Sequence, residues 1–305
     1  MNKPTVSIGL PVYNGEKYLA TALHSIVSQD FEDFELIISD NASQDNTAAI
    51  CREFSESDRR VKYSRVEVNR GAAPNYRRVF QLAEGAYFKW AAHDDACLPG
   101  FLKHCVDAIE RAPASVVLVY PRAQIIDAEG KVTRVDHESL QSRDSKPYRR
   151  AAHVVRNVSL AWPLFGVIRA DALRKTRLID SFIGSDYVLL AELAMIGQLW
   201  EIPEVLFQRR VYPGMSNVVH QTRAQWAAWM DSSQSANSSP LPDFVQIGWQ
   251  CAKSACRLPL TITEKALCCL IVPTAWYLRN LRDLGGRYKS KLLRATGVRA
   301  VSSGS

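Results

Sequence analysis

The sequence lacks the two glycine-rich loops by which many nucleotide-binding domains hold phosphate groups. No G-x-G-x-x-G motif follows the first predicted strand, and no G-x-x-x-x-G-K-[ST] motif occurs in the chain. Their absence counts against an NAD-dependent enzyme and against a P-loop NTPase. A nucleotide bound here would need a metal ion, in place of backbone amides, to neutralise its diphosphate.

The chain also lacks the cysteine pattern of a disulfide-stabilised or zinc-binding domain. Its seven cysteines are an odd number, without a C-x-x-C pair or a zinc-type spacing. We therefore expect free thiols, a reducing compartment and a cytoplasmic location, and we expect no signal peptide before the first strand. Helical surroundings favour burial as free thiols for the four cysteines near the C-terminus: Cys251, Cys256, Cys268 and Cys269.

The C-terminal tail lacks an apolar run long enough to cross a bilayer. Outside residues 279–299 the chain is close to neutral. The apolar run 266–278 falls short of the ~20 residues of a membrane-spanning helix, and Pro273 interrupts it. Residues 279–299 hold seven basic residues and one acidic residue, so seven minus one, or +6, of the net +7 lies there. A charge confined to the tail counts against a nucleic-acid-binding domain and fits an anionic lipid surface.

What the sequence does contain is an alternation of short apolar strands and amphipathic helices. Five strands are predicted between residues 5 and 120, with helices between most of them. This pattern predicts an α/β fold with a Rossmann-like, mostly parallel sheet and helices on both faces. From about residue 221 the pattern changes to helices joined by a Ser/Pro-rich linker. We therefore divide the chain into residues 1–220 and a helical extension with a basic tail, residues 221–305.

Polar side chains stand where three of the predicted strands end. Tyr13 follows the first strand, Asp40 ends the second, and Asp94 and Asp95 follow the fourth. In a parallel sheet these ends meet at one edge, where open α/β sheets bind ligands. Tyr13 could stack on a base and Asp40 could accept hydrogen bonds from a base or ribose. The adjacent carboxylates suit Mg²⁺ or Mn²⁺; the alternative is that they only cap the following helix.

Three stretches of the sequence resemble the family 2 glycosyltransferases. They are TVSIGLPVYNG at residues 5–15, SDNASQDNT at 39–47 and HDD at 93–95, and the resemblance extends over residues 4–215. It implies a GT-A fold, a nucleotide-sugar donor with UDP as the default nucleotide, a divalent cation and inversion at the anomeric carbon. It also implies that Arg70 and Asn75 flank the nucleotide, that Asp94 contacts the ribose or the sugar, and that Asp95 is the metal ligand. The base pocket that it implies is lined by Pro11, Val12, Tyr13, Glu16 and Asp40.

The same resemblance implies a catalytic base. Asp186 matches the family's catalytic aspartate at the start of a helix, where a carboxylate can take the proton of an acceptor hydroxyl. The alternative is an aspartate that complements the helix dipole, and we expect the helix N-terminus to keep it ionised. His93 stands where many members have an acidic residue. Tyr212 stands where many have a histidine that completes the metal site, so either the metal has fewer protein ligands or His220 takes that place.

Together these residues predict a metal-dependent inverting glycosyltransferase that acts on a hydroxyl of a glycan or lipid-linked acceptor. Arg209 and Arg210 could neutralise phosphate, or lie as solvated charges on a surface strand. Residues 264–299 could lie on the cytoplasmic face of a membrane or pack on the catalytic domain. Two other functions remain open. One is a sugar-1-phosphate nucleotidyltransferase, which would want a basic, glycine-rich loop after the first strand, and the other is a non-catalytic, membrane-peripheral nucleotide-sugar-binding protein.

Overall fold

A nine-stranded sheet lies at the centre of the computed structural model, which describes residues 3–215, 219, 222–233 and 242–295. The strands are β1 (Val6–Val12), β2 (Phe34–Asp40), β3 (Val61–Arg65), β4 (Tyr87–Trp90), β5 (Ala96–Cys97), β6 (Val116–Ile126), β7 (Val132–Val135), β8 (Val167–Arg169) and β9 (Gln198–Arg210). Their hydrogen-bonded order is β3-β2-β1-β4-β8-β6-β9-β5, and β7 pairs with β6. Strands β1, β2, β3, β4, β6 and β9 run in one direction, whereas β5, β7 and β8 run in the other.

Helices cover the sheet, and every residue of β1 and β2 is buried. Strands buried throughout are typical of a parallel sheet with helices on both faces, so the predicted α/β fold is confirmed. One antiparallel strand, β8, is inserted between β4 and β6. The helices are α1 (Glu16–Val27), α2 (Thr47–Ser57), α3 (Ala72–Gln81), α4 (Phe101–Arg111), α5 (Pro147–Asn157), α6 (Ala170–Leu173), α7 (Ser185–Ile196), α8 (Arg223–Met230), α9 (Asp243–Arg257) and α10 (Ile262–Ala295).

The register of the sheet decides where the loops meet. β1 pairs in parallel with β2 and β4, with Val12 opposite Asp40 and Gly9 opposite Trp90. The carboxyl ends of these three strands therefore lie at one edge, as the sequence predicted. Gly9 also lets α3 approach β1 closely, because a Cβ atom there would lie only 2.7 Å from Val79 Cγ2.

The C-terminal helices pack on the sheet domain through residue 281. Helix α10 contacts α5 and α9, and α9 contacts α7. Trp276 of α10 donates a hydrogen bond from Nε1 to the carbonyl of Phe244, at 2.7 Å. Among the helices described, none combines the length and apolar character needed to span a bilayer. Of the two positions foreseen for this region, packing on the catalytic domain is the one that the structure shows for these residues.

The C-terminal cysteines differ from one another in burial. Cys251 and Cys268 are buried, as predicted, whereas Cys256 is exposed and Cys269 is half-buried. The two accessible thiols lie 3.6 Å apart between α9 and α10. The prediction of burial was wrong for Cys256 because it lies outside the buried stripe of α9, which includes Cys251 and Ser254.

Candidate active site

Two loops at the carboxyl edge of the sheet hold each other in place. The amide of Gly15 donates to Thr47 Oγ1 at 2.8 Å, and the amide of Glu16 donates to Asp45 Oδ2 at 3.0 Å. In return, the amide of Asn46 donates to Glu16 Oε2 at 2.9 Å. Glu16 thus satisfies a free amide at the start of α2 while α1 is capped from the opposite loop. The structure gives Glu16 an exposed position with one carboxylate oxygen engaged.

Asp40 is placed differently from the open base pocket that the sequence suggested. Its side chain is fully buried, and its oxygens accept hydrogen bonds from the Ser43 amide at 2.8 Å and from the Tyr63 hydroxyl at 3.0 Å. Arg65 Nη1 lies 3.4 Å from the same carboxylate. A buried carboxylate needs such partners, and they fix the loop after β2. Asp40 therefore does not face solvent at this edge of the sheet.

Asn75 has a similar internal position on α3. Its Nδ2 donates to the carbonyl of Ser39 at 2.9 Å and more weakly to that of Val12, at 3.4 Å. The side chain therefore joins the ends of β1 and β2. Pro11 is also buried.

Besides Glu16, two of the predicted nucleotide residues present their side chains at the surface. The ring of Tyr13 is 39% exposed, which leaves it available to stack on a base. Arg70 is exposed too, while its amide donates to Asn41 Oδ1 at 3.0 Å. The loop after β3 therefore presents a cation beside the same edge.

Asp94 and Asp95 lie at the end of β4 with different surroundings. Asp95 is 8% exposed, and its Oδ1 accepts a hydrogen bond from the Arg210 amide at 2.9 Å. Asp94 is half-buried. Burial, followed by the negative charge of Asp94, raises the pKa of Asp95 to about 7, while the charge of Arg209 opposes the rise.

This donor set fits a divalent cation. The raised pKa of Asp95 means that the chain's own groups leave its charge under-compensated, and a cation would supply the missing charge. In the part of the chain described, no three His, Cys, Asp or Glu side chains group as a metal site. The carboxylate oxygens of Asp94 and Asp95 are therefore the ligands that the protein could provide. An ion such as Mg²⁺ is commonly held in this way, by one or two carboxylates together with substrate phosphates.

The residues that depart from the family pattern lie around Asp94. The Tyr212 hydroxyl lies near the Asp94 carboxylate, and burial together with the charge of Asp94 raises the pKa of Tyr212. The ring of Tyr212 contacts that of Tyr18, with centroids 5.0 Å apart. His93 packs over Gly15, where a Cβ atom would come within 2.9 Å of its ring. This contact is its visible role. His220 lies outside the described residues.

Asp186 lies in the wall of a cavity of about 370 Å³, in whose lining Asp94 and Asp95 do not take part. It stands in the first turn of α7, as predicted, and its Oδ1 accepts a hydrogen bond from the Tyr187 amide at 3.0 Å. Burial raises its pKa, against this hydrogen bond and the charge of Arg209. The backbone at the helix N-terminus lowers the pKa of Asp186, but loss of solvation outweighs this effect. A raised pKa makes the carboxylate a stronger proton acceptor once ionised.

Two further residues connect Asp186 with the carboxylate pair. The charge of Arg209 acts on both Asp95 and Asp186, and Arg209 lines the cavity with Tyr76. Burial raises the pKa of Tyr76, and Asp94, Asp95 and Asp186 each add to the rise. The sequence offered no sign of Tyr76 beyond its place next to Asn75.

The comparison with known families agrees with this geometry. The sequence model described as Glycosyl transferase family 2 matches residues 7–177, more than half of the chain. The chain belongs to glycosyltransferase family 2. This confirms the resemblance seen in the three sequence stretches, and the matched region holds the carboxylate pair but ends before Asp186.

Curated relatives of this family 2 enzyme carry glycosyltransferase names. An uncharacterized glycosyltransferase of Rickettsia typhi is 26% identical over 241 residues, which are 74% of this chain and 72% of that protein. The GalNAc(5)-diNAcBac-PP-undecaprenol beta-1,3-glucosyltransferase of Campylobacter jejuni is 25% identical over 191 residues, 62% of this chain and 60% of that one.

Solved structures show the same fold at low sequence identity. S. aureus TarS 1-349 in complex with UDP-GlcNAc has a TM-score of 0.63 at 16% identity, covering 89% of this chain and 72% of that chain. The mannosyltransferase PcManGT of Pyrobaculum calidifontis, in complex with GDP-Man and Mn²⁺, has a TM-score of 0.50 at 14% identity, covering 93% and 88%. The enzyme therefore has the GT-A fold that the sequence predicted.

Proposed function

We propose that the enzyme transfers a sugar from a UDP-sugar to a hydroxyl of a glycan or lipid-linked acceptor, with inversion and with a divalent cation. The observation that carries the proposal is the cavity that Asp186 and Arg209 line together, since the charge of Arg209 also acts on Asp95. A carboxylate for the leaving diphosphate and a carboxylate for the acceptor then flank one reaction centre. The printed names of the TarS complex and the Campylobacter relative support the donor and acceptor classes.

The chain's own residues divide the work of this reaction. Tyr13 stacks on the base and Arg70 flanks the nucleotide, while Pro11, Val12, Asp40 and Asn75 hold the edge that receives it. Asp94 contacts the ribose or the sugar. A cation held by Asp95 would neutralise the leaving diphosphate. Asp186 takes the proton of the acceptor hydroxyl. The oxygen of that hydroxyl attacks the anomeric carbon from the face opposite the leaving diphosphate, and attack from that face inverts the configuration.

Replacing Asp95 by Asn tests the donor side. In the wild-type enzyme we expect UDP with Mn²⁺ to raise Tm, since a ligand at a hundred times its Kd stabilises by about 2.7 kcal/mol. Asp95→Asn should lose the Mn²⁺-dependent part of this shift and release UDP from UDP-sugars at least ~100-fold more slowly. Differential scanning fluorimetry and a UDP-release assay measure both.

Asp107→Asn, a half-buried carboxylate on α4 paired with Lys103, is the control. If the wild-type enzyme instead releases pyrophosphate from UTP and a sugar 1-phosphate, it is a sugar-1-phosphate nucleotidyltransferase and our proposal is wrong. Mn²⁺-dependent binding of UDP-sugars without any turnover, across a panel of sugars and acceptors, would favour the binding-protein reading.

We also propose that residues 1–220 form the transferase domain and that 221–305, packed on it, contact the cytoplasmic face of an anionic membrane. Leu270, Leu278 and Leu281 of α10 are exposed, and a helical period of 3.6 residues puts them within an arc of about 80°. The sequence from 279 to 299 adds seven basic residues against one acidic residue. Each basic residue near such a surface contributes about 1 kcal/mol.

Vesicle binding tests the membrane contact. We expect the enzyme to co-sediment with phosphatidylserine-containing vesicles and not with pure phosphatidylcholine, and added salt should weaken binding because it screens charge. The double variant Leu270→Glu/Leu278→Glu should bind ~10-fold less, while Leu82→Glu, an exposed leucine just after α3, should bind as the wild type does. Equal binding to both vesicle types would count against the contact.

A further inference from the structure

The C-terminal extension forms one wall of the cavity that contains Asp186. Trp226, Trp229 and Met230 of α8 line it, together with Ile247 of α9. The family match ends at residue 177, so these side chains lie outside the part of the chain that the family model covers. The wall beside Asp186 is therefore built by residues of the C-terminal extension.

Helix α8 is fixed on both sides of the reaction centre. Ser232 Oγ, just after the helix, donates to the carbonyl of Asn69 at 2.7 Å, in the loop that carries Arg70. Ser181 Oγ, near the start of α7, donates to Asp231 Oδ2 at 2.9 Å. Gly71 permits this close contact, because a Cβ atom there would lie 2.6 Å from the Met230 carbonyl. Hydrogen bonds to two neighbouring segments thus hold α8 in place as the wall of the cavity.

The cavity combines aromatic walls with few polar groups. The indoles of Trp226 and Trp229 meet at 89°, with centroids 5.2 Å apart, and Phe182 adds a further aromatic side chain to the lining. The Asp186 carboxylate supplies acceptors. Arg209 also lines the cavity and supplies a guanidinium, whose Nη1 donates to the Leu160 carbonyl at 2.9 Å.

These features discriminate between classes of ligand. An alkyl chain would cover the charged groups of Asp186 and Arg209 without offering them hydrogen bonds, which is costly. A phosphate group would be repelled by the Asp186 carboxylate. A pyranose has an apolar face of C–H groups, which suits an aromatic ring, and a rim of hydroxyls that both donate and accept hydrogen bonds.

We propose that this cavity binds a pyranose unit of the acceptor, with its C–H face against the Trp226–Trp229 corner. One hydroxyl donates to Asp186 and the oxygen of another accepts from the Arg209 guanidinium. The inference rests on the proposed function, since it places the acceptor beside the base named there. It makes the extension a determinant of acceptor specificity.

Saturation-transfer NMR with methyl pyranosides tests the inference. The probes are the methyl glycosides of glucose, galactose, mannose and N-acetylglucosamine, each with the full-length enzyme, UDP and Mg²⁺. We expect at least one to bind, with saturation strongest at its ring protons. Trp229→Leu should weaken that binding at least ~10-fold, whereas Trp249→Leu, an exposed tryptophan on α9 outside the cavity, should not.

The possible results separate this inference from the proposed function. UDP binding without binding of any pyranoside overturns the inference alone, and so does a Trp229→Leu variant that binds as tightly as the wild type. Pyranoside binding without any effect of UDP or UDP-sugars on Tm overturns the proposed donor. If Trp229→Leu fails to fold, as judged by circular dichroism, Trp226→Phe is used instead. This substitution reduces the aromatic surface of the Trp226–Trp229 corner while keeping an aromatic ring.

Discussion

Replacing Asp186 by Asn should lower the rate of sugar transfer by about 10²–10⁴-fold, the usual contribution of a general base. UDP binding should stay unchanged, because the donor side lies at Asp94 and Asp95. Asn keeps the acceptor oxygen that bonds to the Tyr187 amide at 3.0 Å, so the start of α7 should not change. Initial rates of UDP release with acceptor, and the UDP-induced shift of Tm, measure the two effects.

The same substitution should stabilise the fold at neutral pH. Burial raises the pKa of Asp186 in the folded protein above the ~3.9 of an unfolded chain. Between the two pKa values the folded state binds more protons than the unfolded state, so stability falls as the pH rises. Above the folded pKa the wild type bears the whole cost of the buried charge, and Asp186→Asn bears none. The Tm difference between variant and wild type should thus shrink as the pH falls towards 4.

Asp171→Asn is a matched control for these effects. Asp171 stands in the first turn of α6 and accepts from the Ala172 amide at 2.8 Å, in the same way as Asp186 in α7. It is exposed, so its replacement should change neither the transfer rate nor the Tm–pH profile appreciably. Near wild-type transfer by Asp186→Asn, with a lowered Tm, would show that Asp186 is only a helix cap.

Replacing Glu192 by Gln should destabilise the protein by about 3–5 kcal/mol, the cost of breaking a buried ion pair from one side. Glu192 lies in the middle of α7 and is 1% exposed. It accepts from the Arg177 amide at 2.9 Å, from Arg177 Nε at 3.3 Å and from Arg257 Nη2 at 2.8 Å. Gln would remove the counter-charge that Arg257 has in Glu192 and would leave Arg177 with Asp180, at 4.0 Å. Thermal and urea unfolding measure the loss, which should lower Tm by roughly 10 °C.

This ion-pair network also links the extension to α7, the helix that carries Asp186. Arg177 Nη1 donates to Gln250 Oε1 of α9 at 2.8 Å, and Arg257 lies at the end of α9. Glu204→Gln, an exposed glutamate on β9, is the control and should shift stability by no more than about 0.5 kcal/mol. A Glu192→Gln variant that unfolds together with this control would show that the network adds no stability.

Local sequence patterns were sufficient to predict the sheet edge. Apolar alternation located the strands, and the parallel direction of β1, β2 and β4 followed from the helices between them. Asp94 and Asp95 then had to lie beside the loop of Tyr13, because β1 and β4 are neighbours. These inferences depend on contacts between adjacent elements, which short-range periodicity reports well.

Asp40 and Asn75 show where local patterns are not enough. Both are polar residues beside the edge, but their partners, Tyr63 for Asp40 and the carbonyls of Ser39 and Val12 for Asn75, come from other elements. Whether a polar side chain faces a ligand or the interior depends on those partners. The sequence does not reveal them, because hydrogen bonding is decided after the chain has folded.

By itself, then, the sequence of this protein determined its family, its α/β fold, the carboxylate pair at the end of β4 and the aspartate at the start of α7. Only the tertiary structure decided that Tyr76 and Arg209 join these carboxylates, and that the tryptophans of α8 close the cavity beside Asp186. The physical reason is sequence distance: Trp226 follows Tyr76 by 150 residues. Packing of the whole chain, rather than any periodic pattern, brings such residues together.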